Sequence, residues 1–315
     1  MSIEDKIQKD TPLKPFTTWQ VGGPAKYYLE VKEKDDLSAA YIWAREKKIK
    51  VYILGGGSNI LVPDNGVDGL VLRMLNTLVL VKGERLECGA GAQLREIISK
   101  CIGNNLSGME WASGIPRATV GGAICGNAEA FNEPMAGIVE TVNTFNVKKG
   151  IFKLFSNRDC EFEYRNSIFK KNPSLLIWDA VLRMRKERPE IIKENIERSI
   201  NFRTKKYPRL PSAGSIFKNL DPVEVEKYNP MLLNEIKDKV GRTGKISAGL
   251  LIDMCGLKGK TMGKVKISLE HANHIVNTGH ARAEEIVMLI SYIKQQVRDK
   301  FGLELQEEIQ YFGFN

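Results

Sequence analysis

Cysteine is scarce and scattered in this sequence. The 315 residues contain five cysteines, an odd total without any C-x-x-C pair: Cys88, Cys101, Cys125, Cys160 and Cys255. A disulfide framework requires paired cysteines and a structural zinc site requires ligands at short spacing, so this distribution argues against both. Isolated thiols are typical of a reducing compartment, and we expect the protein to be cytoplasmic.

Long hydrophobic runs are also missing. No segment approaches the ~20 consecutive apolar residues that cross a bilayer. The N-terminal sequence MSIEDKIQKD carries charges of both signs where a secretory signal has an apolar core. We therefore expect a soluble chain without membrane insertion. The apolar fraction of 43% and the charged fraction of 27% are those of an ordinary globular protein, and 315 residues are enough for several domains.

A concentrated basic patch is absent, although the formal net charge is +9. The 47 basic residues are spread along the chain and interleaved with 38 acidic ones, whereas nucleic-acid-binding proteins cluster their basic residues. The surplus is explained equally well by an anionic small-molecule substrate and by a solvated surface rich in Lys and Glu. We therefore expect no nucleic-acid partner.

Helical and strand-like patterns follow each other irregularly, which predicts an α+β fold rather than a strictly alternating sheet. Apolar residues at helical spacing predict helices over 36–48, 94–105 and 284–300. Short apolar runs predict strands at 51–54, 60–62, 69–74 and 85–88. Residues 189–208 begin as a helix and end in a proline-bounded basic loop, which we interpret as a linker between domains.

Glycine is concentrated in three segments: GGGSN (55–59), GAGAQ (89–93) and GIPRATVGGAICGNAEA (114–130). Because glycine lets backbone amides approach a phosphate closely, GGGSN after a strand fits a pyrophosphate cradle. By itself the segment fits a structural turn equally well, since it lacks the Lys-Ser/Thr of a P-loop. GAGAQL has Leu94 where a dinucleotide-binding Rossmann fingerprint has its third glycine, so we reject that fold.

Nine segments, in order along the chain, resemble the signatures of the UDP-N-acetylenolpyruvoylglucosamine reductase family. They are TTWQVGGPA (17–25), ILGGGSNIL (53–61), GMEWASGIP (108–116), TVGGAICGNAEAF (119–131), YRNSIF (164–169), SAGSIFKN (212–219), GLLIDMCGLKGKTMG (249–263), HANHIVN (271–277) and LELQEEIQYFG (303–313). Together they cover nearly the whole chain, and nine in order are far more specific than any one. The short interval between YRNS and SAGS resembles the form of the family without an extra substrate-covering insertion.

The resemblance implies an α+β protein with a two-lobed FAD-binding domain of the vanillyl-alcohol-oxidase type and a C-terminal α+β substrate-binding domain. The corresponding segments are 1–78 and 79–203 for the two flavin lobes and 204–315 for the substrate domain. Noncovalent FAD is expected to contact one residue set at its pyrophosphate and another beside the flavin. The first set is Gly55, Gly56, Gly57, Ser58 and Asn59, and the second is Thr119, Gly121, Gly122 and Asn127.

The activity that the resemblance implies is a reduction in peptidoglycan precursor synthesis, a part of cell wall biogenesis. NADPH reduces FAD, and UDP-N-acetylenolpyruvoylglucosamine then receives the hydride and becomes UDP-N-acetylmuramate. Arg165 is expected to hold the enolpyruvyl carboxylate, Ser215 to protonate the substrate carbon, and Glu308 to support the developing enolate. Three further residues are expected to contact the nucleotide sugar or NADPH: Tyr164, Lys218 and Asn219.

Two other functions remain open from the sequence. Another FAD-dependent oxidase or dehydrogenase of the same flavin fold would share the fold but not the C-terminal signatures. A basic nucleotide-binding or RNA-binding module would be colourless, so flavin absorbance of the purified protein would exclude it.

Several positions depart from the family pattern or required a choice. His274 stands where an aromatic residue is usual, Glu129 stands where glycine is common, and the IPRAT turn is one residue longer. His271 and His274 form an H-x-x-H spacing, but with only His280 nearby we expect no metal. Glu308 is preferred to Glu307 because the family places its glutamate directly before an aliphatic residue.

Overall fold

The computed structural model describes residues 2–240 and 244–314. The chain divides into two compact units. Unit 1 comprises the segment up to Thr11, Ala25–Gly57 and Val67–Arg203. Unit 2 comprises Pro12–Pro24, Ser58–Gly66 and the chain from Thr204 onward. None of the helices in the described ranges has the length and apolarity that a membrane crossing requires.

The described residues form α-helices and short strands in irregular order, as an α+β fold requires. The helices are α1 Ile3–Lys6, α2 Lys34–Glu46, α3 Leu94–Gly103, α4 Val120–Cys125, α5 Ile168–Lys171, α6 Pro189–Lys206, α7 Pro222–Tyr228, α8 Pro230–Ile236, α9 Ala248–Met254 and α10 Ala283–Phe301. The strands are β1 Gln8–Pro12, β2 Pro24–Val31, β3 Val51–Leu54, β4 Ile60–Leu61, β5 Val67–Met74, β6 Val79–Lys82, β7 Arg85–Gly89, β8 Leu106–Ser107, β9 Glu129–Ala130, β10 Glu133–Pro134, β11 Val139–Asn146, β12 Ile151–Ser156, β13 Leu175–Arg183, β14 Arg185–Lys186, β15 Thr261–Met262, β16 Val265–Ile267, β17 Ile275–Asn277 and β18 Gln310–Tyr311.

The first part of unit 1 is a sheet in the order β1-β2-β5-β3, in which β2, β5 and β3 run parallel. Helix α2 buries Leu37, Ala40 and Ala44 at helical spacing, and these residues share a core with the sheet strands. The predicted helix and strand at 36–48 and 51–54 are confirmed as α2 and β3. Strand β3 therefore ends at Leu54, directly before the GGGSN segment.

The second part of unit 1 is a five-stranded antiparallel sheet in the order β12-β11-β13-β7-β6. Helix α3 covers its core with the buried residues Leu94, Ile97, Ile98 and Cys101, as the periodicity predicts. Helix α6 extends to Lys206, further than the predicted linker allows. Its buried Arg203 donates hydrogen bonds to the carbonyl oxygens of Ser113 and Trp111 at 2.9 and 2.8 Å, which holds the end of the helix in unit 1.

Unit 2 is built around α10, whose apolar stripe of Ile286, Leu289, Ile290, Ile293 and Val297 is buried as predicted. Its first turn is capped from a distant segment, because the Asp64 carboxylate accepts the amides of Ala283 and Glu284 at 2.9 and 3.1 Å. The antiparallel sheet β15-β16-β17 packs in the same core.

The N-terminal segment of unit 2 is fixed by a buried tryptophan. The Trp19 indole donates to the carbonyl oxygen of Ile275 at 2.8 Å, and the Asn277 side chain donates to the carbonyl of Trp19 at 2.9 Å. A buried indole N–H and a buried amide are thereby satisfied together. Trp19 and Val21 are thus part of the core of unit 2.

A cluster of three aromatic rings in unit 2 consists of Tyr207, His271 and His274. The His274 ring lies 4.9 Å from the Tyr207 ring and 4.7 Å from the His271 ring, measured between centroids. His274 is 3% exposed, and within the described residues neither of its ring nitrogens has a hydrogen-bond partner. Burial, and secondarily the charge of protonated His271, lowers the pKa of His274 to about 3.

This histidine predicts an acid-sensitive fold. Because the folded pKa is about 3 and the unfolded value is about 6.5, His274 favours the folded state fully only above about pH 6.5. Stability should fall as pH decreases from there, by about 2 kcal/mol at about pH 5. His274→Phe keeps an aromatic ring beside Tyr207 and should remove this loss in denaturant unfolding measured across the pH range. His280→Asn, at an exposed position, should leave it in place. Equal acid sensitivity of His274→Phe and the unsubstituted protein would contradict the prediction.

Candidate active site

The glycines after β3 lie against a second glycine-rich loop in unit 1. A Cβ atom at Gly56 would overlap the carbonyl oxygen of Arg117, and one at Gly55 would lie 2.7 Å from the Thr119 hydroxyl. Gly57 has a φ of 65°, in the left-handed region that favours glycine. The close approach of the two loops therefore depends on the missing side chains.

Thr119 organises the second loop. Its hydroxyl caps α4 by accepting the Gly122 amide at 3.4 Å, while the Gly121 amide donates to the carbonyl of Ala90 at 2.9 Å. A Cβ at Gly121 would lie 2.9 Å from the Cβ of Ala90. Gly55 thus faces Thr119 and Gly121 packs on Ala90, so close backbone packing holds the three glycine-rich segments together.

Asn127 joins the glycine region to the YRNS motif. Its side-chain amide donates to the carbonyl of Glu163 at 2.9 Å, and its side-chain oxygen accepts the amide of Ala136 at 3.0 Å. The residue is buried. The contacts resolved for Asn127 are therefore with the protein, and they hold residue 163 beside the end of α4.

The YRNS motif forms a tight turn that presents Arg165. Glu163 and Asn166 exchange backbone hydrogen bonds of 3.1 and 3.2 Å, and Arg165 between them has a φ of 53°. A non-glycine residue in this region is strained, and such strain concentrates at functional sites. The turn is anchored by the Ser167 hydroxyl, which donates to the carbonyl of Cys125 at 2.7 Å. The Arg165 guanidinium lies 5.9 Å from the Tyr164 ring.

In unit 2 the SAGSIF and C-terminal motifs pair with each other. The Glu308 amide donates to the carbonyl of Ile216 at 2.7 Å, and the Lys218 amide donates to the carbonyl of Gln306 at 2.9 Å. Ser215 directly precedes this pairing and follows Gly214, whose φ is 77°. The structure thus brings the backbones of Ser215 and Glu308 side by side.

The end of the GGGSN segment joins the same group in unit 2. The Asn59 side chain donates to the carbonyl of Glu308 at 3.2 Å, and β4 pairs in parallel with β18. Asn219 directly follows Lys218 in the sequence. Its side-chain oxygen accepts the Ala248 amide at 3.3 Å. The predicted site residues are divided between the two units. Those in unit 2 are Ser58, Asn59, Ser215, Lys218, Asn219 and Glu308, and the others are in unit 1.

Glu307, which precedes Glu308, is paired with a lysine of α10. Glu307 forms an ion pair with Lys294, with Nζ–Oε distances of 3.0 and 3.2 Å. This pair holds residue 307 against α10. The ion pair therefore gives Glu307 a contact with α10.

Sequence reasoning missed two residues that shape these sites. The carbonyl of Arg117 faces Gly56, and the side chain of Asn273 hydrogen bonds with the backbone of Phe217. The sequence does point to Asn273, because it lies in the HANHIVN motif between the two histidines. Among the described residues, no group of three or more His, Cys, Asp or Glu side chains is arranged to hold a metal ion.

Comparison with known proteins identifies both parts of the chain. A family described as "FAD binding domain" matches residues 25–147, and one described as "UDP-N-acetylenolpyruvoylglucosamine reductase, C-terminal domain" matches residues 205–312. Two curated proteins named UDP-N-acetylenolpyruvoylglucosamine reductase are each 34% identical. The one from Solibacter usitatus aligns with 98% of this chain and 97% of its own length, and the one from Caldanaerobacter subterraneus with 98% and 95%.

A solved structure agrees with these relatives. The crystal structure of UDP-N-acetylenolpyruvylglucosamine reductase from Thermus caldophilus is 31% identical, with a TM-score of 0.76 over 97% of this chain and 98% of that one. The likeness thus extends over the FAD-binding region and the C-terminal domain alike. On this evidence the chain belongs to the UDP-N-acetylenolpyruvoylglucosamine reductase family.

Proposed function

We propose that this chain reduces UDP-N-acetylenolpyruvoylglucosamine to UDP-N-acetylmuramate, with FAD as cofactor and NADPH as reductant, in peptidoglycan precursor synthesis. The single observation that carries the proposal is the family relationship over 98% of the chain, including the C-terminal domain. The chemistry that FAD supplies when bound is the transfer of a hydride from NADPH to the substrate. The protein has to bind the cofactor, orient the substrate and protonate the substrate carbon.

We assign FAD binding to the glycine loops. Gly55, Gly56, Gly57, Ser58 and Asn59 would hold the pyrophosphate through backbone amides, and Thr119, Gly121, Gly122 and Asn127 would lie beside the flavin. The proposal is supported by the close packing of Gly55 and Gly56 against residues 117–119, which brings the two glycine-rich loops together and leaves no room for side chains. Asn127 would act there mainly by holding the Glu163 carbonyl in place.

We assign Arg165 to the enolpyruvyl carboxylate of the substrate. A guanidinium is permanently charged and can bind a carboxylate through two parallel hydrogen bonds. The left-handed backbone of Arg165 is imposed by the turn at Glu163 and Asn166, so the residue is oriented before substrate arrives. Negative charge that develops on the substrate during reduction would be stabilised by the same group.

We assign Ser215 as the proton donor to the substrate carbon and Glu308 as the carboxyl group beside the enolate. The hydrogen bond from the Glu308 amide to the Ile216 carbonyl supports the assignment, because Ser215 directly precedes Ile216 and so lies on the segment next to Glu308. Glu308 is chosen over Glu307 because it directly precedes the aliphatic Ile309, as in the family pattern. A hydroxyl is a weak acid, but an enolate-like carbon is a strong base, so geometry can suffice.

Three further assignments complete the proposal. Tyr164, Lys218 and Asn219 would contact the nucleotide sugar or NADPH. Residues 1–78 and 79–203 would form the two lobes of the FAD-binding domain, and 204–315 the substrate-binding domain. The cytoplasm is the proposed compartment, since all five cysteines are free thiols, as expected under reducing conditions.

Bound FAD should be noncovalent. The purified protein is expected to be yellow, and acid precipitation should release all of the colour into the supernatant as FAD, because the proposed site holds the cofactor by contacts alone. Chromatography of the supernatant checks the identity. Colour retained in the pellet would contradict noncovalent binding, and FMN in the supernatant would contradict the pyrophosphate role of GGGSN.

Gly56→Val should reduce FAD retention. The new side chain would overlap the carbonyl of Arg117, so the two glycine loops would have to separate. The ratio of flavin to protein absorbance measures the loss, and thermal unfolding of the apoprotein shows whether the fold survives. Gly137→Ala is the matched control, because a Cβ there meets no atom within 4 Å. Unchanged FAD content in Gly56→Val would argue against the cradle.

Ser215→Ala should separate the two halves of the reaction. Reduction of the flavin by NADPH requires no proton donor to substrate, so anaerobic stopped-flow should show bleaching at a near-normal rate. Reoxidation by UDP-N-acetylenolpyruvoylglucosamine should slow by about 10²–10⁴-fold, with little change in substrate affinity. Ser212→Ala, in the same motif, is the control and should reoxidise normally. Normal reoxidation of Ser215→Ala would remove this serine from the mechanism.

A further inference from the structure

Asn273 lies in a motif, HANHIVN, that the proposed chemistry leaves without a role. It is 2% exposed, between His271 and His274. Its side-chain oxygen accepts the Phe217 amide at 2.9 Å, and its side-chain NH₂ donates to the Phe217 carbonyl at 2.8 Å. Its own carbonyl accepts the Ile216 amide at 2.9 Å. One buried asparagine thus makes three hydrogen bonds to the two residues that follow Ser215.

Glu308 lies on the other side of segment 216–217 from Asn273. The Ile216 carbonyl accepts the Glu308 amide at 2.7 Å, and Phe217 and Glu307 form an antiparallel bridge. The segment 216–217 is therefore paired with the backbone of residues 306–308 on one side and with the Asn273 side chain on the other. A carboxamide can replace a strand here because it offers one donor and one acceptor in the geometry of a peptide group.

We propose that Asn273 is a positioning residue for Ser215. By pairing both backbone groups of Phe217, it fixes the segment 216–217 and thereby the separation between the Ser215 hydroxyl and the Glu308 carboxyl group. The inference rests on the proposed role of Ser215 as proton donor. A carboxylate of the same shape lacks the donor that faces the Phe217 carbonyl, so Asn273→Asp breaks one of the two side-chain bonds with little change in volume.

The test measures both half-reactions of Asn273→Asp in the FAD-loaded enzyme. Flavin reduction by NADPH should be near normal, while reoxidation by UDP-N-acetylenolpyruvoylglucosamine should slow by about 10- to 100-fold, the cost of a displaced catalytic group. The reoxidation rate of Asn273→Asp, divided by that of the unsubstituted enzyme at the same pH, should rise as the pH is lowered. A protonated carboxyl regains a donor, and burial raises its pKa. His271 and His274 face this site in both proteins, so their titration affects both rates.

A second readout is independent of activity. Amide hydrogen exchange over 216–217 should be slow in the unsubstituted protein and faster in Asn273→Asp. The matched control is Asn277→Asp in the same unit. Asn277 is also buried, and its side chain donates a hydrogen bond to the Trp19 carbonyl at 2.9 Å, away from this segment. It should leave the reoxidation rate and this exchange unchanged.

Several outcomes would overturn the inference. They are equal slowing in Asn277→Asp, equal loss in both half-reactions, and slow exchange retained in Asn273→Asp. If Asn273→Asp does not fold, Asn273→Ser and the exchange rates of the unsubstituted protein carry the same test.

A double variant separates this inference from the proposed function. Asn273→Asp combined with Ser215→Ala should reoxidise no more slowly than Ser215→Ala alone, because Asn273 acts through Ser215. Additive losses would overturn the role of Asn273 and leave that of Ser215 intact. Normal reoxidation of Ser215→Ala would instead reject the proton donor and, with it, the positioning role.

Discussion

The hydrogen bond from the Glu308 amide to the Ile216 carbonyl is the contact on which the candidate chemistry of unit 2 depends. Backbone groups that leave water must be paired, and the short segments of this unit are too isolated to form a large sheet. They pair instead with each other and with side chains, as Asn59 and Asn273 do. The requirement to satisfy buried peptide groups therefore also brings the proposed acid and carboxyl residues together.

Unit 1 meets a different constraint with glycine. Its loops approach so closely that Gly56 faces the Arg117 carbonyl without room for a side chain. The proposed pyrophosphate contact lies in the same loop. A substitution at Gly56 would therefore change loop packing as well as the proposed contact, which is why apoprotein stability and FAD content have to be measured separately.

Buried polar groups in unit 2 differ in how well they are satisfied. Asn273 and Asn277 each use both the oxygen and the nitrogen of the side-chain amide to bind backbone groups. His274 lies in the same core, and its ring nitrogens have no hydrogen-bond partner within the described residues. An imidazole buried in this way contributes an apolar ring and an acid sensitivity, whereas the asparagines contribute fixed geometry.

The sequence by itself determined the elements with strong periodicity, α2, α3 and α10, because burial of one helical face is a local pattern. Its nine ordered motifs also identified the family, since each residue of a motif is read directly. Local patterns do not encode which distant groups will pair. Only the tertiary structure decided that Lys294 engages Glu307, that Asn127 holds the Glu163 carbonyl, and that residues 12–24 and 58–66 join unit 2. These contacts depend on where the packed backbone brings each donor and acceptor, and that position is a property of the whole fold.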